Sequence, residues 1–116
     1  MPSRMNSKLK TIPQPGEIWF VDLGMAGKPR HALVLAARTD ARLAVASVVL
    51  ITTQFEGTPY EVELPRVPWL REQSYINTQS IQPVKFTEFV RKAPGKFDAA
   101  VLAKMEAALK LWLNLK

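Results

Sequence analysis

The chain has no cysteine, one histidine and only five glycines among its 116 residues, and each scarcity removes a class of function. Without cysteine there is no disulfide framework and no thiolate zinc site. With His31 alone, histidine metal clusters and paired-histidine acid–base chemistry are also excluded. No glycine-rich phosphate loop is present, and Glu17, Asp22, Glu56, Glu61 and Glu63 show no spacing that demands a carboxylate pair. The longest apolar run, Leu43 to Ile51 interrupted by Ser47, falls well short of the roughly 20 residues that span a bilayer. Met1 to Lys10 is polar and basic without an apolar centre, so it does not read as a secretory signal, and a cytoplasmic location with no membrane partner is expected.

What is present is a composition of 47% hydrophobic and 22% charged residues, that of a globular chain long enough for one core. The net charge is +6, but Arg4, Lys8 and Lys10 precede the first acid, Glu17, so about +3 belongs to the rest. That bias admits RNA, DNA or an acidic protein as partner without choosing among them. Pro13 and Pro15 close a polar opening segment, which divides the chain into a basic mobile tail, residues 1–13, and a folded domain, residues 14–116.

Aromatic and β-branched patterning predicts a strand over Glu17–Leu23, with a connection made flexible by Gly24 and Gly27. Two apolar runs, Pro29–Leu35 and Leu43–Gln54, flank a polar turn at Arg38–Arg42 and read as an antiparallel hairpin buried on most sides. Tyr60–Leu64 alternates strictly and predicts a strand with Tyr60, Val62 and Leu64 inward. Pro65 and Pro68 make the next segment a crossing loop pinned by Trp69-Leu70, and Ser74–Ile81 reads as a fifth strand. Gln82-Pro83-Val84 should then turn the chain into a short helix around Thr87–Lys92. Leu102, Met105, Leu109 and Trp112 recur at helical spacing beside Val101, Ala108 and Leu113, with Asp98 as cap and Phe97 as staple. The fold class is therefore α+β: a small antiparallel β-barrel with a C-terminal helix packed on it.

In this hairpin Arg30 and Thr52-Thr53 lie near the same end. A guanidinium held beside a hydroxyl on a rigid sheet is a phosphate site, because it forks onto phosphate oxygens in two parallel hydrogen bonds. A solvated strand-end arginine beside edge threonines explains the same pattern, and His31 reads most simply as a strand-end histidine.

Three segments resemble, in order, the opening of the MazF/PemK toxins: Pro15-Gly16-Glu17-Ile18-Trp19-Phe20-Val21-Asp22-Leu23, Lys28-Pro29-Arg30-His31-Ala32-Leu33-Val34-Leu35, and Val49-Leu50-Ile51-Thr52-Thr53-Gln54. Glu61-Val62-Glu63-Leu64, the hydrophobic loop ending at Ser74, and Phe97-Asp98 leading to Leu111-Trp112-Leu113-Asn114-Leu115 look like that family's second half. The resemblance implies an SH3-like toxin barrel, a homodimer, a cognate antitoxin partner, and a metal- and cofactor-independent ribonuclease. Its members cut single-stranded RNA by attack of the ribose 2′-hydroxyl, leaving a 2′,3′-cyclic phosphate and a 5′-hydroxyl. The family's arginine matches Arg30 and its threonine matches Thr52. Alternation puts Thr52 and Thr53 on opposite faces, so one of them is expected to share a cavity with Arg30, and Thr52 is the match. Lys28, His31, Thr53, Gln54 and Gln82 are the expected RNA-binding residues around them. Arginine does not readily give up a proton, so proton transfer falls to water, substrate or another group.

Two features depart from the family pattern. The first loop, Gly24 to Lys28, is short, and Gln82 stands in Ser80-Ile81-Gln82-Pro83 where the family often carries a second arginine. They motivate an alternative: a toxin-fold protein that binds nucleic acid or DNA gyrase without cutting.

Overall fold

The apolar runs on either side of the polar turn become the two central strands of a six-stranded antiparallel sheet. The computed structural model describes residues 12–24 and 28–116. The basic tail expected over 1–13 lies outside them as far as Thr11, and so do Met25, Ala26 and Gly27 of the connection that begins at Gly24. In chain order the strands are β1 (Ile18–Val21), β2 (Arg30–Ala37), β3 (Val45–Thr52), β4 (Glu61–Glu63), β5 (Tyr75–Lys85) and β6 (Phe89–Lys92), followed by helix α1 (Ala99–Leu113). Across the sheet the order is β4-β5-β3-β2-β1-β6. This is the expected α+β architecture, a barrel-like antiparallel sheet with the C-terminal helix on it, and its hydrogen-bonded ladder stays open between β4 and β6.

Alternation sorts the strand side chains onto two faces. Leu33, Val49 and Ile51 join Ile18, Ile76, Val62 and Leu64 on one face, covered by Met105 and Ala108 of α1 and by Leu70 and Phe97. Ala32, Val34, Ala46 and Val48 meet Val21 and Val84 on the other, closed by Trp19, Leu50, Phe86 and Phe89. Central strands buried on both faces need apolar residues at successive positions, which is why β2 and β3 read as near-continuous apolar runs. Each fully buried aliphatic side chain stabilises the fold by roughly 1.5–3 kcal/mol. The Asp98 carboxylate accepts the Val101 amide at 3.0 Å and caps α1 as its position predicts.

Three expectations are corrected. The fifth strand does not stop at Ile81: β5 runs to Lys85, with Val48 opposite Gln82 and Leu50 opposite Asn77, so residues 78–81 bulge against Val49 alone. The Ser80 hydroxyl mends the ladder there, accepting the Leu50 amide at 2.9 Å and donating to the Asn77 carbonyl. Pro83 is tolerated because β4 pairs only with Tyr75–Asn77 and leaves this part of β5 open on one side. Second, the helix expected over Thr87–Lys92 is a 3-10 turn, Phe86–Glu88, followed by β6. Residues this few cannot hold a helix by themselves, while the open edge of β1 offers a ladder; Asp22 donates to the Glu88 carbonyl at 2.8 Å and Ala93 to the Ile18 carbonyl at 2.8 Å, fixing both ends of β6. Third, the helical stripe loses its cover toward its end: Trp112 is 39% exposed, held edge-on against Tyr60, and Leu111 and Leu113 face outward. The three-residue β4 gives that last turn little to pack on.

Candidate functional site

β2 begins at Arg30 and β3 ends at Thr52, so the two central strands open at the same place. Their register pairs Ala32 with Leu50, and two residues further on it sets Arg30 across from Thr52 on one face. The odd-numbered neighbours point to the other face, where His31 and Ile51 follow Leu33 and Val49. The Thr52 hydroxyl accepts the Gln54 amide at 3.1 Å, which leaves its own proton to donate elsewhere.

Two cavities meet at this mouth. The larger, about 620 Å³, is lined by Arg30, His31, Thr52, Thr53 and Gln54 together with Phe20, Trp69, Arg71, Glu72 and Arg91. The smaller, about 220 Å³, holds Arg30, Thr52 and Gln54 with Glu61, Asn77 and Ser80. Arg30 and Thr52 border both. The expectation that one threonine alone shares a cavity with Arg30 fails in the larger one, because β3 ends at Thr52 and the chain bends at Thr53, where strand alternation no longer applies. Lys28 is exposed and Gln82 is half-buried, and neither lines these cavities. The Gln82 amide instead donates to the Ser80 carbonyl at 3.2 Å, beside the bulge.

Sequence reasoning missed Arg91, Arg71 and the aromatic wall. Phe20 faces His31 across β1 and β2 and Arg91 across β1 and β6, so His31, Phe20 and Arg91 form one row on one face. The His31 ring meets Phe20 edge-on at 5.0 Å and Trp69 at 5.8 Å, while the Arg91 guanidinium lies 4.4 Å from the centre of the Phe20 ring. Among the described residues no carboxylate pairs with Arg30, Arg71 or Arg91. Burial, and then the Arg91 charge, hold the His31 pKa below its usual value, so the imidazole is neutral at neutral pH. The only available signal for Arg91 was the strand pairing of a segment that reads as helical. Among the described residues no three His, Asp or Glu side chains converge as metal ligands.

Residues 14–113 match the family described as "PemK-like, MazF-like toxin of type II toxin-antitoxin system". Solved structures of similar fold include an endoribonuclease in complex with its cognate antitoxin from a mycobacterial species, 23% identical, with a TM-score of 0.75 over 90% of this chain and 97% of that one. The Mycobacterium tuberculosis toxin MazF-mt6 is 24% identical, with a TM-score of 0.73 over 86% of this chain and 98% of that one. MazE-MazF from Deinococcus radiodurans is 23% identical, with a TM-score of 0.66 over 90% and 98%. No curated protein matches the chain. At these identities the solved structures speak for a shared fold.

Proposed function

The chain belongs to the PemK-like, MazF-like toxins of type II toxin–antitoxin systems, and from that membership and the cavity geometry we propose that it is an endoribonuclease that cuts single-stranded RNA. The observation that carries the reading is that Arg30 and Thr52, at the adjoining ends of β2 and β3, line the same cavity together with two further arginines and no paired carboxylate. The ribose 2′ oxygen attacks the adjacent phosphorus, the bond from phosphorus to the 5′ oxygen breaks, and the products are a 2′,3′-cyclic phosphate and a 5′-hydroxyl. Charge develops on the non-bridging oxygens, where the Arg30 fork and the Thr52 hydroxyl are placed to donate. The neutral His31 ring in the same cavity is suited to accept the 2′-hydroxyl proton, and the departing 5′ oxygen takes one from water. All the positive charge in this scheme is protein-borne, so the reaction needs no metal.

The same membership supports a homodimer neutralised by a cognate antitoxin. A second groove of about 390 Å³ between β4 and α1 has an apolar floor of Val62, Ala107, Ala108 and Leu111 with Glu61, Glu63 and Lys104 at its sides, and suits a protein partner that is apolar with charged flanks.

The test is incubation of the purified protein with a long single-stranded RNA in EDTA, with the 5′ ends mapped. Discrete cuts with 5′-hydroxyl and cyclic-phosphate ends are expected. Arg30→Ala should lower the rate at least 100-fold, since removing one donor to a developing oxyanion costs about that much. Intact RNA, with wild type indistinguishable from Arg30→Ala, defeats the proposal; saturable binding without products would point to the non-catalytic alternative.

A further inference from the structure

The residues flanking Arg30 and Thr52 along the strand ends form two unlike platforms. On one side, two strands away on β6, Arg91 lies over Phe20 with its guanidinium unpaired among the described residues. On the other side, Tyr75 of β5 is the register partner of Thr52, and Phe55 stacks on it with ring centroids 4.4 Å apart and planes within 10°. Phe55 is 49% exposed, an uncommon state for a phenylalanine that is nonetheless held in place. Its loop is fixed from below. The Glu61 carboxylate accepts the Glu56 amide at 3.0 Å and both the amide and hydroxyl of Thr58 at 2.8 Å, and Gly57 at φ 78° makes the turn. These bonds hold the Glu61 pKa below the usual carboxylate value, so the clamp stays ionised at neutral pH.

Resting on the reading of an RNA-cutting site at Arg30 and Thr52, we propose that the RNA strand runs along the ends of the central strands, over the mouth where the two faces meet, from Arg91–Phe20 on the His31 face to Phe55–Tyr75 on the Thr52 face. The lateral offset from β6 through β1, β2 and β3 to β5 is four strand spacings, roughly 19 Å on a flat sheet and less on a curled one, within reach of a short single-stranded segment that bends over the strand ends. Arg91 takes a phosphate on one side of the scissile bond and offers its flat guanidinium to a base. Phe55, already parallel to Tyr75, stacks a base on the other side. Both contacts are blind to base identity, as a π face and a phosphate clamp are, so they set affinity and register rather than sequence choice.

The two flanks have distinguishable signatures. Binding of a 2′-O-methyl RNA oligonucleotide, which cannot be cut, is measured across a salt series. Arg91→Ala should flatten the slope of log affinity against log salt by about 0.7, the share of one phosphate contact on a single strand, and Arg91→Lys should restore it. Phe55→Ala should weaken binding about 10-fold with the slope unchanged, and Phe55→Trp should restore affinity. Wild type that cuts RNA while Arg91→Ala and Phe55→Ala bind as wild type does overturns the track and leaves the activity standing. Binding that shows the two signatures without cleavage overturns the activity and supports the track. Loss of wild-type binding altogether overturns both.

Discussion

Glu17 sits at the entry to β1, almost fully buried, and its replacement is the sharpest test of how the sheet edge is held. One carboxylate oxygen accepts the Gln14 amide at 2.8 Å and the Trp19 indole N–H at 2.9 Å; the other faces the Lys92 ammonium at 3.4 Å. Glu17→Ala leaves two donors without their acceptor. Each hydrogen bond to a charged group is worth about 1.5–3 kcal/mol. The lower end applies because both donors can still reach water, Gln14 being exposed and Trp19 half-buried, giving about 3 kcal/mol for the two. The Lys92 pair adds at most about 0.5 kcal/mol, because the lysine side chain is 55% exposed. The expected loss is therefore about 3 kcal/mol, a fall in Tm of about 12 °C for a domain of this size. Glu17→Gln keeps an acceptor without the charge and should lose about half. Burial alone would raise the Glu17 pKa, but the Trp19 and Gln14 hydrogen bonds and Lys92 outweigh it and the value is lowered from 4.5. A carboxyl depressed in the folded state contributes stability above its unfolded pKa and loses it as pH falls through the folded value. The gap between wild type and Glu17→Gln in urea unfolding should thus be constant from pH 7 to about pH 5 and close below pH 4.5; His31 is common to both chains and cancels. An alanine variant within 0.5 kcal/mol of wild type, or a gap indifferent to pH, refutes this account.

Two further outcomes follow from the cavity wall. With His31 neutral as proton acceptor and its pKa depressed by burial and by Arg91, the acid limb of the cleavage rate should lie below pH 6.5, and Arg91→Ala should move it upward; a limb above 6.5, or one that Arg91→Ala leaves in place, removes His31 from that role. Gly95 faces the Trp69 indole so closely that an added Cβ would stand 3.3 Å from its Nε1. Gly95→Ala should cost about 1 kcal/mol in urea unfolding and shift the tryptophan emission, whereas unchanged stability and emission would show that Trp69 has room to yield.

The parts of the fold legible in the sequence are those where the local pattern and the tertiary environment ask for the same residues. β2 and β3 are apolar at successive positions because both faces are covered, and α1 carries its cap and its period together. Trp69-Leu70 declared itself as a loop anchor because large apolar side chains among prolines have nowhere else to go. β6 was illegible for the opposite reason. Phe89-Val90-Arg91-Lys92 is four residues at a sheet edge with only Phe89 turned to the core, too short to show a period, and its state is decided by the empty edge of β1. The continuation of β5 was hidden by Pro83 and by a bulge whose missing ladder bonds are supplied by Ser80, a repair that exists only once β3 lies alongside.

The same distinction governs the site. Arg30 and Thr52 could be paired as candidates because they stand at the same open end of one hairpin, at the start of β2 and the end of β3. Arg91 lies far along the chain and reaches the cavity only through the strand order β6-β1-β2, so no local spacing announces it. Gln82 illustrates the converse hazard. Aligned with a family arginine, it suggests a charge lost from the site, yet its amide is engaged at the Ser80 carbonyl and neither cavity at the strand ends includes it. The cationic character of the larger cavity is instead assembled from β2, the Trp69 loop and β6, three segments that the topology, and not a motif, brings to one mouth. What a linear pattern cannot count is the set of guanidinium groups that line one cavity without a carboxylate partner, and it is that set which would act on a phosphate bound there.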